Sequence, residues 1–326
     1  MRHLLRQGVQ HMLGALLLLN LLAGCSSLRL TAPIPEAPED IPPTVELTSV
    51  PFFPQERYHC GPAALATLLN QRQVSVTPDA LAERSYLPGR KGSLQIELTA
   101  TARHYGLLVY PIASNLNDLL REVAAGNPVM ILQNQAFRWF PRWHYAVVVG
   151  YDIPHKQLVL RSGKEKRWIS DFQTFMNTWQ RADFWGIVTL PPGSMPATAH
   201  ERPYLEAAHD LESTQQPAAA HRAYQAAVQR WPASVTAWLA LGNSAYGEKS
   251  WTESAEAFRE AVRLDPGNAT AWNNLAYALL ENARDEEALH AVSQALALKP
   301  DDPNLLDSAR EIRQRIDQRQ PAVPRP

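Results

Sequence analysis

The spacing of apolar side chains changes several times along the chain, and each change marks a boundary. Met12 to Leu22 is an apolar run broken only by Gly14 and Asn20. Residues 25–50 and the adjoining Pro51 offer little to bury. Pro33, Pro35, Pro38, Pro42, Pro43 and Pro51 are interspersed with acids, which predicts an extended tether. Helical spacing then appears at Leu65, Leu68 and Leu69 within Ala63 to Asn70, and again from Leu94 to Tyr105 before Gly106. Asn115 is placed to cap a third helix running to Gly126. The period shortens after that. Leu107 to Ile112, Pro128 to Gln133, His144 to Tyr151, Gln157 to Arg161 and Trp185 to Leu190 read as strands. Ser170 is placed to cap a further helix with Phe172, Phe175 and Trp179 on one face. Helices followed by a mostly antiparallel sheet predict an α+β domain over residues 51–192.

Beyond Pro191-Pro192-Gly193 the chain is alanine-rich and repeats itself with a period of 34. Tyr204, Trp238 and Trp272 share one register, and Tyr224, Phe258 and Val292 another. Ala227, Ala261 and Ala295 share a third, and Pro232, Pro266 and Pro300 a fourth. Residues 200–318 are thereby predicted to be three helix pairs and a polar capping helix stacked into an all-α solenoid, with residues 319–326 as a tail.

Composition agrees with two packed units. The 326 residues are 45% apolar and 19% charged, which excludes collagen-like, wholly disordered and coiled-coil chains. The 31 basic and 32 acidic side chains form no long run of one sign, so nucleic acid is not an expected partner. Two cysteines, Cys25 and Cys60, are too few for a disulfide framework or a thiolate zinc cage. His59, His104 and His155 lack metal-ligand spacing, and neither metal nor cofactor is expected.

Residues 1–24 carry Arg2 and Arg6 ahead of the apolar run and small residues before Cys25, the pattern of an export signal. Leu22-Ala23-Gly24-Cys25 resembles the bacterial lipobox. That resemblance implies diacylation of the Cys25 sulfur, a palmitate-type anchor in the bacterial envelope, and periplasmic exposure. Ser26 in place of aspartate further implies the outer membrane. Cys60 would then be the one free thiol of an exported protein, in an oxidising compartment with no partner to pair with.

Cys60 precedes Gly61-Pro62-Ala63-Ala64-Leu65 and so opens a helix, with proline where a missing N–H costs least. Unpaired N–H groups at a helix start favour a thiolate, so an activated nucleophile is expected. Gln55 is close enough in sequence to offer its amide to an oxyanion, and His144 opens an apolar strand able to hold an imidazole rigidly.

Gln55, Cys60-Gly61-Pro62-Ala63-Ala64-Leu65 and the stretch from His144 to Asp152 together resemble the papain-like cysteine peptidases that remove double-glycine leaders from bacteriocins. The resemblance covers roughly residues 50–190, and it implies a papain-like α+β fold. The repeats resemble the tetratricopeptide repeat at Trp238, Leu241, Gly242, Phe258, Ala261 and Pro266, with Ala208 and Ala276 where glycine is usual. A lipoprotein branch, with this peptidase fold fused to repeats, is the implied setting. Cys60 is the implied nucleophile, His144 the base and Gln55 the oxyanion donor, although Gln55 precedes Cys60 by five residues where the family commonly has six. The family's Asp-Pro is replaced by Arg161-Ser162-Gly163. A regular hairpin reversing near Ile153 pairs residues whose numbers total about 306, which sets Ser162 opposite His144 as its orienting residue and leaves Asp152 in the turn.

The expected activity is hydrolysis of peptide bonds in an exported protein or peptide, with the repeats recruiting substrate or a protein partner. Two alternatives remain open: a peptide-binding assembly factor on a degenerate peptidase fold, and acyl transfer by the same thiol. Phe137, Trp139, Phe140 and Trp143 either line a substrate groove or pack a long loop.

Overall fold

The computed structural model describes residues 32–55 and 59–319. Cys25 and the expected export signal lie outside them. None of the described helices is long and apolar enough to cross a membrane.

The first unit is built on a seven-stranded sheet whose strands are β1 (Thr44–Glu46), β2 (Leu108–Pro111), β3 (Val129–Asn134), β4 (Trp143–Asp152), β5 (Gln157–Ser162), β6 (Glu165–Asp171) and β7 (Gly186–Leu190). The order is β2-β7-β3-β4-β5-β6, and β1 pairs with the second half of β4 in line with β3. Every pairing is antiparallel. β4 is buried from Tyr145 to Tyr151, because helices cover both faces of the sheet.

On one face lie α1 (Cys60–Gln71), α2 (Pro78–Ser85) and α3 (Gln95–His104). Leu65, Leu68 and Leu69 of α1, with Leu81 and Leu98, pack on Val109, Met130, Tyr145, Val147 and Val149. On the other face lie α4 (Leu116–Ala124) and α5 (Phe172–Gln180), whose Leu119, Leu120, Phe175 and Trp179 meet Tyr110, Ile131, Ala146, Val148 and Leu160. Asn115 caps α4 by accepting from the Asp118 N–H at 2.8 Å. The cap of α5 is Asp171, not Ser170: the carboxylate accepts from the Thr174 N–H at 2.8 Å, while Ser170 is still in β6. A charged oxygen at a helix start outcompetes a hydroxyl one residue earlier.

The proline-rich segment is extended, but its described part is not a free tether. Ala32 is buried and donates its N–H to Asn177 Oδ1, Tyr151 Oη donates to Pro42 O, and β1 adds three residues to the sheet. Buried backbone groups of an extended segment need partners, and the long free edge of β4 supplies them. Gly150 permits this approach, since a Cβ there would stand 2.5 Å from Val45 O.

Six antiparallel helices and a cap follow: α6 (Glu201–Ser213), α7 (Pro217–Arg230), α8 (Val235–Gly247), α9 (Trp251–Leu264), α10 (Ala269–Glu281), α11 (Asp285–Leu298) and α12 (Pro303–Arg319). Gly242 has no room for a side chain, because a Cβ would lie 2.6 Å from the Phe258 ring. The first pair shares a core with the sheet, in which Tyr204, Leu211 and Tyr224 are continuous with Leu108, Tyr110 and Leu190. Fully buried Glu122 ties the two units, accepting from Thr198 N at 2.8 Å, Thr198 Oγ1 at 2.6 Å and Asn127 Nδ2 at 2.7 Å. Arg72 of α1 then donates to Asn127 Oδ1 and to Thr189 O, each at 2.7 Å.

Candidate active site

Cys60 is the first residue of α1, and Pro62 stands in the first turn, where its missing N–H donor would have had no helical acceptor. Gly61 allows α1 to press close to its neighbours, since a Cβ would meet Ser93 Cβ at 3.0 Å. The Cys60 thiol lies against the backbone N–H of Tyr145, the residue after His144, and near those of Gly61 and Cys60 itself. These donors favour a thiolate, but burial outweighs them and pushes the thiol above its ordinary value. The activated thiolate expected from the helix start is therefore not the resting state.

His144 is half-buried at the start of β4, and its Nε2 is 2.8 Å from Ser162 Oγ. Burial, with the nearby Arg142 charge adding to it, lowers the imidazole to about 4. A neutral thiol thus coexists with a neutral imidazole near pH 7. Ser162 does not stand opposite His144 in the sheet. Partner numbers in the β4–β5 pair total 309 beside the turn and 308 after a bulge at Val149, in place of the expected 306. The turn spans Ile153 to Lys156, further along than the sequence suggests, and the bulge shifts the register again. Continuing that register would put Lys164 opposite His144, which leaves Ser162 two residues away as a diagonal neighbour within side-chain reach. Asp152 accepts from His155 Nδ1 at 2.8 Å in the exposed turn and takes no part at the imidazole.

Gln55 is fixed at both ends of its amide. Its Oε1 accepts from Gly163 N at 3.0 Å, and its Nε2 donates to Tyr145 O at 3.3 Å, with one N–H left over. Gln55 N also donates to Gly163 O at 2.9 Å, so the strand-end turn after Ser162 positions the glutamine.

Gln55, Cys60 and His144 line one open cleft of about 1680 Å³. Its walls also include Leu132, Tyr145, Ser93 and Trp143. Phe137, Trp139, Phe140 and Trp143 are 61%, 81%, 76% and 53% exposed; Phe137 and Trp139 stack on each other within the loop at 4.8 Å, and of the four Trp143 alone lines the cleft. The rim carries Arg90, Lys91, Arg142 and Lys164, which the sequence reading did not single out because they come from three separate turns. Among the described residues, no three His, Cys, Asp or Glu side chains converge as metal ligands.

An α+β domain that brings a lone thiol, an imidazole and a fixed amide to one cleft, joined to a solenoid of paired helices, is the class this fold and site define. Family comparison makes the same division. The model described as Peptidase_C39 like family matches residues 47–186, and that described as Tetratricopeptide repeat matches 205–269 and 250–303. The chain carries a Peptidase_C39-like domain followed by tetratricopeptide repeats. Similar solved structures include a C39-like peptidase from Bacillus anthracis, 19% identical, covering 45% of this chain and 97% of that one with a TM-score of 0.38. The Arabidopsis OM64 TPR domain is 18% identical and covers 35% of this chain and 94% of its own, with a TM-score of 0.33. No curated protein matches the chain.

Proposed function

We propose that this chain is a cysteine peptidase of the bacterial envelope, anchored by lipid at Cys25, cleaving an exported protein or peptide while its repeats hold substrate or a protein partner. The observation that carries the reading is the convergence of Cys60, His144 and Gln55 on one cleft, with the thiol against the backbone beside His144. Because Nε2 is engaged with Ser162, Nδ1 is the nitrogen that takes the Cys60 proton. The sulfur then attacks the peptide carbonyl. The remaining Gln55 N–H and the Cys60 N–H hold the oxyanion, and the imidazolium returns the proton to the leaving amine. Water attacks the resulting thioester with His144 again as base, releasing the acid and restoring the thiol. Proton transfer from a raised thiol to a lowered imidazole is uphill in the free protein, so the attack depends on what substrate brings to the cleft.

Comparison of new protein N-termini in envelopes of cells carrying the wild type or Cys60→Ala tests this. Termini present only with the wild type are expected. A second reading, a peptide-gripping assembly factor, is favoured by one observation: among the described residues no carboxylate bonds to His144. Identical termini in both strains, with peptide still bound, would establish it instead.

A further inference from the structure

Among the described residues, the rim of the cleft carries four cations against one acid. Arg90 and Lys91 lie on the turn before α3, Arg142 on the β3–β4 hairpin and Lys164 on the β5–β6 turn, whereas Asp183 is the one acid lining the same cleft among the described residues. All four cations are exposed, and none forms an ion pair among the described residues, although elsewhere arginines readily do so, as Arg103 does with Asp210 and Arg167 with Glu46. The Arg142 guanidinium donates to the neutral Gln135 Oε1 at 2.8 Å. Cations brought together from three turns over a partly buried floor focus a positive potential into the cleft. The same charge reaches the reacting group, since Arg142 is two residues from His144 and opposes its protonation. Ser162 bonds to the imidazole but brings no charge to offset this.

Resting on the peptidase reading, we propose that the cleft takes an acidic peptide, and that a carboxylate of this peptide pairs with Arg142 and supplies beside His144 the negative charge that Ser162 lacks. The pairing has two effects. It binds the substrate through charges that are otherwise unpartnered among the described residues, and it cancels the field opposing the imidazolium that forms when Cys60 gives up its proton. Selectivity and activation thus come from the same contact, and a neutral peptide loses both.

The test uses the full chain with Cys60→Ala for binding and the wild type for cleavage. Its probes are fluorescein-labelled decapeptides that differ only in three Glu or three Gln residues. Binding of the Glu peptide is expected to be about tenfold tighter at low salt, with the gap closing in 0.5 M NaCl. Arg142→Gln combined with Lys164→Gln should abolish most of that gap without changing the affinity for the Gln peptide, which also reports that the fold is intact. Lys299→Gln, at the far end of the repeats, should leave the gap unchanged. Equal affinity for the two peptides, or a gap that survives in the double variant, overturns the inference. Cleavage without acidic preference overturns it too while sustaining the peptidase reading. An acidic preference in binding, with no cleavage of any exported protein by the wild type, does the reverse.

Discussion

His144 Nε2 and Ser162 Oγ share a hydrogen bond of 2.8 Å across a β-pair in which the two residues are not opposite each other. A hydroxyl fixes the ring but contributes no charge. Ser162→Asp should therefore move the imidazole up from about 4 toward the ordinary range near 6.5, as read by NMR titration of the ring protons. The same variant should preserve or raise the peptidase rate. Ser162→Ala should lower that rate about fivefold to tenfold, the worth of one neutral hydrogen bond, and Asp152→Asn should leave it unchanged.

Burial of His144 also sets an acid sensitivity. A group lowered to about 4 in the folded chain and near 6.5 when unfolded takes up its proton in the unfolded state first. Its contribution is fully present above pH 6.5 and is lost as the pH falls toward 4. Between pH 8 and pH 5 the loss should be about 2 kcal/mol, and urea unfolding of His144→Ala should be flatter over that window by the same amount.

Cys60 should react slowly. With the thiol raised by burial, iodoacetamide should modify it more slowly at pH 7 than a free thiol, with the rate climbing only at a higher pH than a free thiol requires. Fast alkylation near pH 6 would restore the thiolate that the helix start alone suggests.

Glu122 is the buried acceptor for Thr198 and Asn127. Glu122→Ala strands three donors at the junction and should cost about 3 kcal/mol in global unfolding. Limited proteolysis should then cut near Thr198 first.

The lipid anchor proposed at Cys25 predicts an intact mass for membrane-extracted protein above that of residues 25–326 by a diacylglyceryl group, usually with a third acyl chain. Unmodified N-termini and identical soluble fractionation for the wild type and Cys25→Ser would contradict the anchor.

Much of the fold is legible because its signals are local. The helix at Cys60, the Asn115 cap, five strands and the 34-residue repeat each follow from spacing within a short window. β6 escapes that reading because it is an exposed hairpin strand with Glu165, Lys166 and Arg167 in succession, and no apolar alternation reveals it. α2 is short and largely polar for the same reason. The β4–β5 register could not be read from the sequence, since the position of the turn and the Val149 bulge are settled by packing on both faces. At the site, Cys60, His144, Gln55 and Ser162 are visible by residue type and order. Their protonation is not, because desolvation depends on burial that only the folded chain creates.

The core shared by the first helix pair and the sheet has a geometric consequence. The solenoid is not swung on a leash; it is built into the same block as the cleft, and the Glu122 and Arg72 hydrogen bonds brace the corner. A polypeptide held on the repeats while threading the cleft would therefore be measured against a fixed ruler. On the proposed reading, the number of residues between its docking segment and the bond at Cys60 would become a property of the fold, and substrates would be sorted by length as well as by charge.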